Sequence, residues 1–425
     1  MAETPIADPL VTFDTAWSLI ARTHWDTTYN GVNWRALRDT LRPRAAQART
    51  TGELRSVLSQ MIGRLHQSHF SIIPREVSDA ALPSSGRPPD DRSGTVGATF
   101  RVVDGAVVVA SVRAGGNADR AGVRTGWILQ AVDGCPLGAQ MARVPRSLDP
   151  RRAALSYHGI VNEALSGPVG DTLRASFLDG ENAERLAAIA REGEPGTIAK
   201  FGNLPPLNTH LEFEKVKQGD KTVGVIRFNI WMPVLSPQFD AAIDSLRDTD
   251  GIVLDLRGNF GGVGGMSMGI AGHFLDSAYT IGVMRQRGLE LKFVANPRRV
   301  DTRARAVKPF AGPLALVVDE LSISTTEIFA GGLQAIGRGR VFGTQTSGQA
   351  LPAVTERLPN GDILYHAIAD FLSPTGKPLE GDGVTPDVVA PLTRRALLAG
   401  GDPALDAAVR WAAATAAASG AKVTP

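Results

Sequence analysis

Cysteine is nearly absent: Cys135 is the only one in 425 residues, which excludes an internal disulfide framework and a cysteine-rich metal centre. The seven histidines (24, 66, 69, 158, 210, 273 and 366) show no HExxH or comparable spacing. His66 and His69 lie three apart but no third ligand follows them, so no metal is expected. Charge of one sign is missing too. The net charge is +2, from 45 basic and 43 acidic residues, with no long single-sign run, which argues against a nucleic-acid or anionic-membrane partner. No apolar run approaches the ~20 residues that cross a bilayer. The opening MAETPIADPLV has neither the basic start nor the apolar centre of a secretory signal. The expected compartment is therefore the cytoplasm, or the periplasm if a leader has been trimmed ahead of Met1.

What remains is 43% hydrophobic and 21% charged, the balance of a globular protein, in a chain longer than one hydrophobic core usually supports. Residues 10 to 75 space their apolar side chains three and four apart, as in FDTAWSLIARTHW, WRALRDTLRPRAAQA and TGELRSVLSQMIGRLHQSH, and predict helices, with Thr51 and Glu53 marking one start. DAALPSSGRPPDDRSG, residues 79–94, reads as a linker. From Thr95 the texture turns to short β-like runs (VGATFRVV, AVVVASV, WILQAVDG, TLRASFLDG), with one short helix at NADRAGVRTG. Beyond GNLPPLNTH, Val/Ile/Leu-rich runs (TVGVIRFNI, GIVLDLR, PLALVVDE, GRVFGT) alternate with helical patterns. That alternation predicts a mainly parallel sheet covered by helices. The Ala-rich AAVRWAAATAAASGA predicts a terminal helix.

ELSISTTEIFAGGLQ, residues 320–334, joins one of those strands to one of those helices. Ser324-x-x-Glu327 ahead of an apolar run is a capping box. It is also a place where a nucleophile would sit among free N–H groups at a helix N-terminus, at the carboxyl end of a strand. LDLRGNFGGVGG (254–265) follows a buried-type strand with a glycine-rich turn that lets backbone N–H groups approach a ligand. It is neither a Walker A nor a GxGxxG loop.

Five segments occur here in an order that resembles the serine peptidases of the C-terminal-processing (tail-specific) and tricorn-core superfamily. They are GVNWRALRDTL with LHQSHFSI; GTVGATFRVV through VVASVRAGGNADRAGVRTGWILQAVDG; LDLRGNFGG; SISTTEIFAGGLQAIGRGRVFGTQTSGQ; and GKPLEGDGVTPDVV. The resemblance implies a multi-domain α/β protein. Its parts are an N-terminal helical region (1–78), the linker (79–94), a β-rich PDZ-like domain (95–195), a ClpP/crotonase-like α/β catalytic core (206–395) and a C-terminal helix (396–425). It makes Ser324 the nucleophile, with Ser322 a nearby decoy, and gives the oxyanion to the N–H groups of Gly261 and Thr325, Gly262 being the alternative. Tail-specific members carry TFGKG with a lysine base. Here TSGQA puts Gln349 in that place, and a neutral amide cannot take the serine proton.

The chain therefore resembles the tricorn-like branch, which implies His69 of QSHF as base, Ser68 as its hydrogen-bonding partner and Glu380 of EGDGVTPD as a further member. Asp382 and Asp387 read as turn caps. The implied activity is cleavage of peptide bonds in a peptide or protein substrate through an acyl-enzyme, without cofactor. A histidine base of ordinary pKa about 6.5 gives the expectation of one ionisation near neutrality. TVGATF (95–100) is where a PDZ-like domain would hold a terminal carboxylate, although Gly126-Trp127 replaces the family's usual Gly-Asp. Two alternatives remain open, a non-catalytic peptide-binding protein on the same fold and a serine esterase. The oligomeric state is not legible.

Overall fold

The computed structural model describes residues 8–79 and 93–420, so that all but the ends of the 79–94 linker lies outside the described residues. Three helices open the chain. Helix α1 (Pro9–Thr23) begins at Asp8, whose side chain accepts from the Leu10 N–H, and α2 (Trp34–Gln47) begins at Asn33. Helix α3 (Thr51–Gly63) is capped by Thr50, one residue ahead of the start read from the sequence, in a reciprocal box with Glu53. Their apolar stripes meet at Phe13, Ile20, Leu54, Leu58 and Met61, all fully buried, and Leu358 and Leu364 from far along the chain complete the cluster. The helices are thereby fixed to the last third of the protein. Strand β1 (Phe70–Ile73) reinforces this by pairing antiparallel with residues 363–366.

Next come five antiparallel strands, β2 (Ala98–Val103), β3 (Ala106–Val112), β4 (Ile128–Val132), β5 (Thr172–Leu178) and β6 (Glu184–Ala190), in that spatial order. Between β4 and β5 runs α4 (Pro150–Leu165), a helix absent from the elements expected of the sequence. Asp149 caps it and Pro150 starts it. Val161 and Leu165 bury its far end against the sheet, while its first turn, with Arg151 and Arg152, faces the rest of the protein.

The third unit is a six-stranded sheet ordered β7-β8-β9-β12-β13-β17. Strands β7 (Leu211–Gln218) and β8 (Lys221–Phe228) form an antiparallel hairpin. From β8 on the pairing is parallel, through β9 (Gly251–Asp255), then β12 (Leu314–Val318), β13 (Arg340–Gly343) and β17 (Val388–Val389). Every residue of β9 and β12 is buried, as expected for strands covered on both faces. Alternate side chains define the two faces. Ile252, Leu254, Leu314 and Leu316 pack with α5 (Ser236–Leu246), α6 (Gly265–Ala271) and α7 (Thr325–Ala335). Val253, Ala315 and Val317 pack with α8 (Pro403–Gly420) through Ala404, Ala408 and Ala412.

Two small sheets flank this unit. One orders β11 (Leu289–Ala295), β10 (Tyr279–Gln286) and β16 (Asp370–Leu372); the other orders β1, β15 (Ile363–Ala367) and β14 (Ala353–Arg357). The molecule is thus a multi-sheet α/β protein. No helix among the described residues is long and apolar enough to cross a membrane.

Candidate active site

Strand β12 ends at Val318, and the chain then turns sharply before α7. Asp319 organises the turn, accepting from the N–H groups of Gly258 (2.9 Å) and Leu321 (3.1 Å) and from Arg101 (2.9 Å). Each hydroxyl of the SISTT stretch has a separate destination. Ser322 is fully buried, donates to the Leu256 carbonyl (2.9 Å) and accepts from the Asp319 N–H (3.0 Å). Thr325 donates to the Gly262 carbonyl (2.9 Å), and Thr326 donates to Asn259 while accepting from the Trp231 indole (2.8 Å). These three sew the glycine-rich turn to the helix start.

Ser324 alone is half-buried and faces a histidine. Its Oγ lies 3.1 Å from His69 Nε2. Its backbone sits at φ 60°, ψ −118°, a region a non-glycine residue occupies only when its surroundings force it, and one that recurs at functional turns. His69 is also in the left-handed region, at φ 61°.

Beyond His69 the chain of hydrogen bonds continues. Ser68 Oγ is 2.7 Å from His69 Nδ1 and donates to Glu380 Oε2 at 2.8 Å. A hydroxyl has one proton. With that proton on the Glu380 bond, Ser68 Oγ must accept from Nδ1–H, which leaves the Nε2 lone pair directed at Ser324. The Glu380 carboxylate accepts further from the N–H groups of Ser68 (3.0 Å) and Ala350 (3.0 Å) and from Arg152 (3.3 Å). Removal from water pushes the His69 pKa down to about 4, so the ring is neutral at pH 7. The Tyr365 ring, 5.7 Å from the imidazole, walls one side.

Glu327, visible in the sequence only as a capping partner, is fully buried and binds four donors. They are the N–H groups of Ser324 (3.1 Å), Gly348 (2.7 Å) and Gln349 (3.0 Å) and the Thr346 hydroxyl (2.5 Å). Burial pushes its carboxyl up to about 7, and these donors act in the opposite direction. The cap and the site are one arrangement. Gln349, standing where a lysine base would, turns its side-chain amide to Ser347, and its carbonyl accepts from the Ser324 N–H (2.9 Å).

The glycine-rich turn packs directly on the nucleophile. Gly261 has φ +87°, and a Cβ there would come within 2.7 Å of Ser324 Cβ and 2.9 Å of the Thr325 nitrogen. Its N–H, however, donates to Asn259 Oδ1 at 3.0 Å. Among the described residues the Thr325 and Gly262 N–H groups find no protein acceptor. The free amide on this turn is therefore Gly262, the alternative, and not Gly261, because the Asn259 side chain folds back onto the latter.

His66 is exposed and touches none of these groups. Asp387 accepts from the Val341 N–H (2.7 Å), and the exposed Asp382 offers its carbonyl, not its carboxylate, to Arg151 (2.9 Å). At the TVGATF segment the protein's own Glu192 carboxylate lies against Gly97 and accepts from the Asn117 N–H (2.8 Å) and from Arg113 (2.7 Å). No three His, Cys, Asp or Glu side chains converge to hold a metal among the described residues. Sequence reasoning missed Arg151 and Arg152 altogether. They begin a helix of the β-rich unit, and only the fold brings them to the carbonyls of residues 346, 348 and 381 and to Glu380.

A hydroxyl, an imidazole, a second hydroxyl and a carboxylate in one hydrogen-bonded row, at the carboxyl end of a parallel sheet, have the layout of a serine hydrolase. Residues 222–390 match the model of peptidase family S41, and residues 5–63 match that of the tricorn protease C1 domain, matches that support a serine-type peptidase. Ser68 and His69 fall between the two matched stretches.

The chain is similar to the chloroplastic carboxyl-terminal-processing peptidase 2 of Arabidopsis thaliana, at 26% identity over 387 residues, 88% of this chain and 67% of that protein. It is also similar to a probable CtpA-like serine protease of Staphylococcus aureus, at 24% identity over 295 residues, 69% of this chain, and it spans about half (52%) of the length of that relative. Among solved structures, the photosystem II D1 C-terminal processing protease aligns with TM-score 0.60 at 21% identity, covering 97% of this chain and 99% of that one. Mature CPAF aligns with TM-score 0.64 at 13% identity, covering 95% and 96%. At such identities the structural likenesses speak for the fold.

Proposed function

We propose that this protein is a serine endopeptidase that works through an acyl-enzyme with a histidine base. Ser324 Oγ attacks the scissile carbonyl while His69 Nε2 takes its proton. The N–H groups of Thr325 and Gly262 receive the oxyanion, helped by the start of α7. His69 then gives the proton to the leaving amine, and in the second half activates the water that releases the acyl group. Ser68 holds Nδ1–H and relays the imidazolium's charge to Glu380. The observation that carries this reading is the unbroken row Ser324–His69–Ser68–Glu380, in which the proton positions leave only Nε2 free to act as base.

The β-rich unit is read as the part that engages the substrate chain, supported by the arginines of α4 that reach both loops of the site. The test is turnover of a panel of peptides and p-nitrophenyl esters by the wild type and by Ser324→Ala. Peptide cleavage abolished by the substitution is expected. Ester turnover without peptide cleavage would redirect the reading to an esterase, and activity surviving in Ser324→Ala would remove the nucleophile.

A further inference from the structure

The outer edge of β11 is open. It ends the β11-β10-β16 sheet, and no strand among the described residues pairs with its far side. An open edge is a template for another strand, and proteins usually blunt it. Here it is left apolar on one face, with Leu289 55% and Leu291 50% exposed, in line with Phe293, which is buried. Its other face carries Glu290 and Lys292, both exposed, with no ion pair to any described residue. The charges on the corresponding edge of the large sheet differ: Glu212 and Glu214 of β7 are engaged by Arg227 of β8.

The hairpin is also held still. Arg287 at its turn donates to the His24 carbonyl (2.6 Å) and to the Tyr29 hydroxyl (3.2 Å), and Arg285 pairs with Asp370 (2.7 Å). A preformed edge loses little freedom on pairing.

We infer that this edge joins a second copy of the same chain, β11 to β11, about a two-fold axis through Leu291. Two independent features fix that register. The first is hydrogen-bond parity. Gln286 and Leu289 close a two-residue turn, and the pairs Arg285–Glu290, Met284–Leu291 and Val283–Lys292 follow. The closing pair is hydrogen-bonded and the bonding alternates from there. Leu289 and Leu291 therefore spend their backbone groups on β10, while Glu290 and Lys292 direct theirs outward. An antiparallel partner must meet outward residues with outward residues.

The second feature is side-chain complementarity. With the axis at Leu291, Glu290 stands opposite the second copy's Lys292 and Lys292 opposite its Glu290. On the other face Leu291 meets its own copy and Leu289 meets Phe293. The sequence LELKF thus pairs charge with opposite charge and apolar with apolar, in the isologous form a two-fold interface requires. The result is one continuous sheet across two molecules.

Sedimentation equilibrium of the full chain tests this. The expected mass is twice 44.9 kDa. Glu290→Lys and Lys292→Glu each place like charges opposite at both ends of the pairing, and each weakens dimerisation by on the order of tenfold or more. The double exchange Glu290→Lys/Lys292→Glu restores it. Leu291→Cys in a Cys135→Ser background forms a covalent dimer on mild oxidation, because a non-hydrogen-bonded pair brings the two Cα atoms to about 4.5 Å, whereas Leu289→Cys in the same background does not. A monomeric wild type at tens of micromolar overturns the proposal, as does a dimer indifferent to both single charge changes. Single changes that dissociate the dimer without rescue by the double exchange overturn the register.

Discussion

Four hydroxyl-bearing residues lie within five positions around Ser324, and one of them is left for chemistry. Ser322, Thr325 and Thr326 are bound to backbone or side-chain partners that hold the turn. Ser324→Ala is expected to abolish peptide hydrolysis with little change in unfolding free energy, since a cap hydroxyl contributes about 1 kcal/mol. Ser322→Ala should instead lower stability, by roughly 1–3 kcal/mol for the unsatisfied groups it leaves, with the chemistry intact in what remains folded. Steady-state kinetics beside urea denaturation separates the two, and the reverse pattern would mean the wrong hydroxyl was chosen. Likewise His69→Ala should cost several orders of magnitude in kcat while His66→Ala costs little.

The pH dependence is where the structure moves the expectation. From sequence, an imidazole base implies an ionisation near neutrality. In the fold, desolvation lowers the His69 pKa to about 4, so the neutral, proton-accepting form persists well below pH 6.5. The acid limb of kcat/KM, which reports the free enzyme's base, is expected below 6.5 and toward about 4, with a plateau at neutral pH. An acid limb centred at or above 6.5 would show that the imidazole is not desolvated in the working enzyme.

At the scale of elements, the site is a meeting of five separate pieces. These are the α3–β1 connection, the glycine-rich turn after β9, the β12–α7 turn and the loops at 346–350 and 380–382. Glu327 ties the β12–α7 turn to the 346–350 loop, and Glu380 ties the 380–382 loop to the α3–β1 connection and to that same 346–350 loop. Glu327→Gln keeps the shape but sets an NH2 among converging donors. We expect it to destabilise the protein by roughly 1–3 kcal/mol and to depress kcat by misplacing Ser324. Wild-type kcat with an unchanged denaturation midpoint would sink this. Arg152 reaches in from α4 to Glu380 and to the Gly348 carbonyl. Arg152→Ala should lower kcat roughly tenfold, the value of one charge-assisted hydrogen bond, and a kcat equal to wild type would show that the contact is idle.

Much of this was legible before the fold. The alternation of Val/Ile/Leu-rich runs such as β9 and β12 with helical patterns announced a mainly parallel sheet covered by helices, and within the family resemblance Gln349 in the lysine's place pointed to His69. The rest depended on distant contacts. Helix α4 hid inside a stretch read for β alternation. Asn259 occupies the Gly261 amide through a local fold-back that no spacing reveals. Glu327 read only as a capping partner because its three loop donors arrive from residues 346–349, beyond β13.

For the whole molecule, burial depresses several histidines at once: His69, His158 and His366 to about 4, and His24 in the same direction. Each has a folded pKa below its unfolded value of about 6.5, so the unfolded chain binds more protons between those limits. Their combined contribution is fully present above pH 6.5 and is lost as pH falls from 6.5 toward 4. Glu327, raised to about 7, works the other way, gaining stability as pH falls from 7 toward its ordinary value near 4.5. Three histidines outweigh one carboxyl, and urea midpoints are expected to fall between pH 6.5 and pH 4. His366 joins α1 to β15, Thr23 Oγ1 lying 3.3 Å from His366 Nδ1, so hydrogen exchange should show acid loosening α1 first. Midpoints flat over that range would mean these rings stay hydrated.

The claim on which the rest depends is that Ser324 is activated by His69 and by nothing else. The direct measurement is the rate of labelling by a fluorophosphonate at pH 7, with the adduct mapped by peptide mass spectrometry, for wild type, Ser324→Ala, His69→Ala and His69→Ala/Gln349→Lys. The account expects a single adduct on Ser324, none in Ser324→Ala, and a rate lower by several orders of magnitude in His69→Ala that lysine at 349 does not restore. An adduct on another residue, or wild-type labelling in either protein lacking His69, would contradict it.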